Sequence, residues 1–253
     1  MTWVKICGTT NLEDALLAVE AGADAVGFVF YEKSPRNIAV DAAAEITSKL
    51  PQSIEKIGVF VLNGDVDPSR VFLEAGLTGT QTYFSFEDGG RSQEGFAIGT
   101  SLLPDNVRFL TALPMNLVGA DEDQIQQMAT DFRNSGKNLP QDLALRRVNF
   151  TIVLDSGDLR QPGGTGKTFD WRAAQPAIRN VQEPIIVAGG LNAQNVHSAL
   201  EVLQPWGVDV VSGVESYPGR KHPGLVTQFI DAVRQFDARL RAEKATAQKG
   251  QRV

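Results

Sequence analysis

Two residues of this chain stand where an acid–base pair would be placed. Cys7 closes the short apolar run WVKIC and is followed by Gly8. Asp155 closes the apolar run NFTIVLD and is followed by Ser156 and Gly157. A free thiol ionises near pH ~8.5, so a lowered value would make Cys7 a usable base. A carboxyl held protonated by its surroundings can donate a proton instead. The bland alternatives are a small core hydrophobe for a lone cysteine and a loop cap for the aspartate. An acidic group at the end of an apolar run is costly unless it is paired or working, and this favours the chemical reading. Arg36, just after Pro35, offers a planar guanidinium that can grip a carboxylate with two parallel hydrogen bonds. A surface arginine is its alternative, and Glu215 and Lys221 stay open in the same way.

The glycines form a second pattern. Gly163-Gly164-Thr165-Gly166 follows the run that ends in Asp155, Gly189-Gly190 follows PIIVA, and Ser212-Gly213 follows VDVV. Glycine lets a backbone turn tightly and bring N–H donors close to an anion. Each cluster alone reads as an ordinary turn; three on successive strand ends suggest a phosphate cradle made by Gly164, Gly166, Gly189, Gly190, Ser212 and Gly213. The triplet Gly166-Lys167-Thr168 imitates the end of a nucleotide P-loop. That motif needs a further glycine where Gln161 stands, and no clear helix is expected to open at Phe169-Asp170-Trp171, so an ATP site is set aside.

These groups must be carried by regular elements. Apolar runs at residues 3–7, 25–30, 56–62, 77–84, 107–112, 149–155, 184–188 and 208–211 read as strands. Several are continuously apolar, as parallel strands buried on both faces are. Helical spacing recurs at 11–21, 40–50, 68–75, 121–132, 195–203 and 223–240. Eight strands alternating with helices over 253 residues predict a single-domain α/β (β/α)8 TIM barrel over residues 1–241. The polar segment 242–253 is expected to fray. A doubly wound sheet would show a G-x-G-x-x-G turn after its first strand, where this chain has CGTTN. In a barrel, function collects on the loops leaving the C-terminal strand ends, and every residue named above falls on such a loop.

Composition narrows the ligand. Lys and Arg number 24 against 30 Asp and Glu, a formal charge of −6, which argues against nucleic-acid binding through clustered positive charge. One cysteine excludes an internal disulfide framework and fits a reducing, cytoplasmic setting. One cysteine and two histidines far apart in sequence show no metal-ligand spacing. No apolar run approaches the ~20 residues of a membrane span. The expectation is a small phosphorylated substrate, with no metal, nucleic acid or membrane as partner.

Several motifs together resemble one family. KICG at 5–8, AGADAVGFVF at 21–30, SPR at 34–36, VFV at 59–61 and LDS at 154–156 are similar to phosphoribosylanthranilate isomerases of tryptophan biosynthesis. So are GGTGKTFDW at 163–171, AGGL at 188–191 and VDVVSGVES at 208–216. The resemblance implies a cofactor-free barrel isomerase that converts N-(5-phosphoribosyl)anthranilate to 1-(2-carboxyphenylamino)-1-deoxyribulose 5-phosphate. It further implies Cys7 as general base, Asp155 as general acid and Arg36 as the residue facing the anthranilate carboxylate.

The chain also departs from that pattern. Where the family carries V-Q-L-H-G in the fourth strand, residues 80–84 read TQTYF, so Tyr83 replaces the histidine if Gln81 aligns. His222 stands where the family favours aspartate after GRK, and residues 85–148 form a longer, dissimilar stretch. A catalytically silent phosphosugar-binding barrel is the alternative that these departures suggest. A related isomerase of histidine biosynthesis would place a carboxylate, not Cys7, at the end of the first strand.

Overall fold

The computed structural model describes residues 1–62, 66–84, 107–115, 149–157, 166–179 and 181–250. Eight parallel strands close into a barrel in chain order: β1 (Trp3–Ile6), β2 (Ala25–Phe30), β3 (Glu55–Leu62), β4 (Gly79–Phe84), β5 (Arg108–Pro114), β6 (Asn149–Asp155), β7 (Ile185–Val187) and β8 (Gly207–Val210). β8 pairs back onto β1 in register, Lys5 opposite Asp209, so the sheet has no free edge. All eight strand runs read from the sequence are present. The expected helix at 121–132 and most of the dissimilar stretch 85–148 lie outside the described residues.

Helices alternate with the strands: α1 (Leu12–Glu20), α2 (Val40–Thr47), α3 (Pro68–Glu74), α4 (Trp171–Arg179), α5 (Val196–Leu203) and α6 (Pro223–Gly250). Their starts are chemically marked. Asn11 accepts from the Asp14 N–H at 2.9 Å, and Asp67 accepts from the Ser69 N–H at 2.9 Å ahead of Pro68. α4 corrects the expectation of no helix after Gly166-Lys167-Thr168. Asp170 caps it, accepting from the Arg172 and Ala173 N–H groups at 3.0 Å each. The last helix also runs on to Gly250 instead of fraying after residue 241, with exposed side chains over 241–247.

The apolar residues sort into two layers. Trp3, Ala25, Ile57, Leu110, Ala112, Val153, Ile186 and Ala188 fill the barrel interior, while a larger cluster lies between sheet and helices. Side chains alternate across a strand, so Trp3, Lys5 and Cys7 all face inward from one strand. At the N-terminal end of the barrel Trp3 stacks on Trp206 with centroids 5.3 Å apart, and the Arg108 guanidinium lies 4.8 Å over Trp206. Glu55 accepts from Arg108 Nε at 2.6 Å and Nη2 at 2.9 Å. This end is plugged, and the C-terminal end is the one left for a ligand.

Candidate active site

A buried polar path crosses the barrel just below its C-terminal rim. Lys5 Nζ donates to Asp209 Oδ2 at 2.7 Å and to Gln81 Oε1 at 2.5 Å. Gln81 Nε2 donates to the Tyr83 hydroxyl at 3.2 Å, and that hydroxyl donates to Asp155 Oδ2 at 2.6 Å. The Gly157 N–H donates to Asp155 Oδ1 at 2.8 Å. The path thus links β8, β1, β4 and β6. Its donor directions are mutually consistent: an ammonium has no acceptor to offer, so Gln81 must turn its oxygen to Lys5 and its amide nitrogen to Tyr83.

Cys7 stands two residues beyond Lys5 on the same inward face, its N–H bonded to Val210 O at 2.9 Å. Gly27 of β2 packs against it so closely that a Cβ there would lie 2.5 Å from Cys7 Sγ. Any larger residue would displace the thiol. Burial pushes the Cys7 thiol up, and the neighbouring Lys5 and Lys221 ammonium groups only partly reverse this. Desolvation overrides the two cations, so the thiol lacks the lowered value that would make it a ready base. Burial likewise raises the Asp155 carboxyl, against the lowering effect of its Tyr83 and Gly157 hydrogen bonds. Burial opposes the charge on Lys5 too, but Asp209 and Cys7 outweigh it and hold the ammonium.

Arg36 does not stand free above the site. Glu215, the first residue of the β9 strand (Glu215–Tyr217), accepts from its Nε at 3.0 and 3.1 Å and from its Nη2 at 2.7 Å. Lys221, in β10 (Arg220–Lys221), donates to Glu215 Oε1 at 3.0 Å and also to the carbonyl oxygen of Cys7. Both Glu215 and Lys221 were open between surface and site; they are buried beside Cys7.

The glycine loops meet on another part of the rim. Gly189 and Gly190 adopt φ of +80° and +62°, a backbone region that favours glycine. A Cβ on Gly189 would run into Ser156, and one on Gly190 would lie 2.5 Å from Lys167 O. Ser156 Oγ itself donates to Lys167 O. A Cβ on Gly213 would collide with Leu191 O. The loops after β6, β7 and β8 are therefore in direct contact, bringing Gly166, Gly189, Gly190, Ser212 and Gly213 to the neighbourhood of one another. Gly164 lies outside the described residues.

Sequence reasoning singled out Cys7, Asp155, Arg36 and the glycines but passed over Lys5, Gln81 and Asp209. The available signal was a charge inside an apolar strand, in WVKIC and again in GVDVV, since such a charge must be paired when buried. Among the described residues no group of three or more His, Cys, Asp or Glu is arranged to hold a metal ion. Among the same residues no helix is long and apolar enough to cross a membrane.

Comparison with known proteins places the chain in a family. Residues 124–232 match the family model described as N-(5'phosphoribosyl)anthranilate (PRA) isomerase. The N-(5'-phosphoribosyl)anthranilate isomerase of Thermotoga neapolitana is 38% identical over 230 residues, covering 91% of this chain and 97% of that protein. The crystal structure of the Thermotoga maritima phosphoribosyl anthranilate isomerase superposes with a TM-score of 0.72 at 34% identity, covering 93% of this chain and all of the other. A further solved structure of such an isomerase, in complex with reduced 1-(O-carboxyphenylamino)-1-deoxyribulose 5-phosphate, matches with a TM-score of 0.68 at 33% identity.

Proposed function

The chain belongs to the N-(5′-phosphoribosyl)anthranilate isomerase family, and we propose that Cys7 and Asp155 carry out that family's reaction as general base and general acid. The activity is the tryptophan-pathway isomerisation of N-(5-phosphoribosyl)anthranilate to 1-(2-carboxyphenylamino)-1-deoxyribulose 5-phosphate. Asp155, raised by burial, gives its proton to the furanose ring oxygen. The bond from that oxygen to C1 breaks, and the nitrogen lone pair forms the Schiff base. Cys7 then removes the C2 proton, and the released electron pair makes an enolamine. Ketonisation moves a proton from the C2 hydroxyl to C1 and leaves the ketone. The thiol has gained a proton and the carboxyl has lost one, so a proton must return from the sulfur side to Asp155 before the next turnover.

Holding the substrate at both ends makes this economical. The loops bearing Gly164, Gly166, Gly189, Gly190, Ser212 and Gly213 would take the 5-phosphate through backbone N–H groups, and Arg36 would take the anthranilate carboxylate. With both ends pinned, C1 and C2 are held between acid and base, which lowers the entropic part of the barrier.

Burial raises both titrating groups, and a carboxyl starts about five pH units below a thiol. The proposed mechanism takes Asp155, which starts lower, as the more acidic of the two. The productive form, thiolate with protonated carboxyl, is then the minor arrangement of a pair sharing one proton. The observation that carries the reading is the buried path that joins Lys5, beside Cys7, to Asp155. The test is turnover of N-(5-phosphoribosyl)anthranilate by the purified protein, followed by loss of substrate fluorescence. Conversion that disappears in Asp155→Asn is expected. Absence of conversion by the parent protein would overturn the proposal.

A further inference from the structure

We infer that Glu215 is a positioning residue: it turns the Arg36 guanidinium so that its Nη1 end, and not its Nε side, meets the substrate carboxylate. The inference rests on the assignment of Arg36 proposed above and goes beyond it. An arginine has five N–H donors in a fixed planar fork. Glu215 occupies the Nε–H and one Nη2–H, with contacts of 3.0, 3.1 and 2.7 Å. Among the described residues Nη1 has no hydrogen-bond partner. What remains for a ligand is the end-on edge, two donors on Nη1 and the outer donor on Nη2, which still fits a carboxylate two-pronged.

Glu215 can hold the guanidinium because it is itself held. Its side chain is 3% exposed and that of Arg36 is 11% exposed. Oε1 also accepts from Lys221 Nζ at 3.0 Å and from the Gly219 N–H at 3.2 Å. Burial alone would push the Glu215 carboxyl up, but the Arg36 and Lys221 contacts outweigh it and leave it below its ordinary value. It therefore stays ionised. Lys221 in turn donates to the Cys7 carbonyl oxygen. One rigid set of contacts thus runs from the carboxylate-facing arginine of the loop after β2, through the β9–β10 hairpin, to the strand end that bears the thiol.

Charge counting explains why a carboxylate belongs in this place. Two cations beside the substrate would attract any anion, including the phosphate end of a reversed ligand. Glu215 sits between Arg36 and Lys221, leaves a single excess positive charge, and gives that charge a direction. It acts on specificity through geometry, without touching the ligand.

The test is a double-mutant cycle in the purified full-length protein, using Glu215→Gln, Arg36→Met and the combined variant. Steady-state KM and kcat are read for the substrate. Affinity is read for the reduced product analogue and for the same compound with phenyl in place of carboxyphenyl. Glu215→Gln is expected to raise KM roughly tenfold, the effect of weakening one charge-assisted contact, with a smaller change in kcat. The analogue should weaken in parallel while the phenyl compound binds as before. In the Arg36→Met background the second substitution should add nothing. An unchanged KM in Glu215→Gln overturns the inference, as does an equal loss for both compounds or in both backgrounds. An unchanged KM in Arg36→Met instead overturns the Arg36 assignment, and the inference with it. If Glu215→Gln does not fold, Glu215→Asp keeps the charge but shortens the reach. It must show the same carboxylate-selective loss, or the inference fails.

Discussion

The two ends of the barrel are built from similar residue types and do opposite things. At the N-terminal end, Arg108 lies over the stacked Trp206 and Trp3 and is gripped by Glu55. Its charge is matched by Glu55 at the start of β3, which accepts from Nε and Nη2. At the C-terminal end, Cys7 and Asp155 are buried and Tyr83 partly so, with partners that do not fully compensate for lost water, and all three are pushed up. The same closed sheet supports both arrangements. What differs is a matched ion pair under stacked indoles at one end and a thiol, a phenol and a carboxyl raised by burial at the other. The first arrangement holds the barrel shut; the second is suited to proton transfer.

This contrast can be broken at either end. The largest effect is expected from Cys7→Ser and Asp155→Asn, each lowering kcat by ~10²–10⁴-fold, the usual contribution of a general acid or base. Affinity for the reduced product analogue should change little, and thermal unfolding should stay close to the parent. At the plugged end, Trp206→Ala should do the reverse. Loss of the stacked aromatic should destabilise the fold by roughly 3 kcal/mol in denaturant titration, while kcat and KM measured well below the melting temperature stay at parental values. If it instead impaired kcat with stability intact, the division of labour between the ends would be wrong.

Arg36→Met comes next. Loss of a charge-assisted contact worth about 1.5–3 kcal/mol should raise KM by roughly 10–100-fold and leave kcat less affected, as expected for a contact used in binding. The smallest effect in rate, and the sharpest in direction, belongs to Tyr83→Phe. The Tyr83 hydrogen bond lowers the Asp155 carboxyl, so removing it raises that group further. In a base–acid pair with the acid the more acidic partner, the low-pH limb of the rate profile follows Asp155. That limb should therefore move to higher pH in Tyr83→Phe, with the high-pH limb, set by Cys7, much less displaced. A shift of the low-pH limb to lower pH would contradict the assigned roles.

Most of the barrel was legible in the sequence because parallel strands buried on both faces leave unbroken apolar runs, as in AVGFVF and KIGVFVL. Helix α4 was missed because its polar surface and internal Pro176 mask the periodicity, although the Asp170 cap was there to be read. The extension of the last helix through residues 242–250 was hidden by a composition without an apolar stripe. Cys7 and Asp155 could be singled out because each closes an apolar strand run, and Arg36 because it lies in the loop after β2. The groups that govern them could not. Lys5 finds Gln81 and Asp209 across 76 and 204 positions of sequence, and Arg36 finds Glu215 across 179. Only closure of the barrel makes these neighbours, so the burial that raises the thiol could not be read from the sequence.

The departure at Tyr83 is likewise resolved by position. Two residues beyond Gln81 on β4, it faces the interior, and its hydroxyl reaches Asp155. A tyrosine there supplies one donor to the carboxyl and cannot take up a proton near neutral pH, so Asp155 is tuned by a group that stays neutral through the working range.

The most direct test is a crystal structure of the parent protein with reduced 1-(O-carboxyphenylamino)-1-deoxyribulose 5-phosphate bound. The account predicts Cys7 Sγ and an Asp155 carboxyl oxygen on either side of the sugar chain. Sγ should lie within about 3.5 Å of C2 and the carboxyl within hydrogen-bond reach of the former ring oxygen, with the phosphate against the Gly189-Gly190 loop. A ligand seated with C2 and that oxygen both out of reach of the two side chains would contradict it.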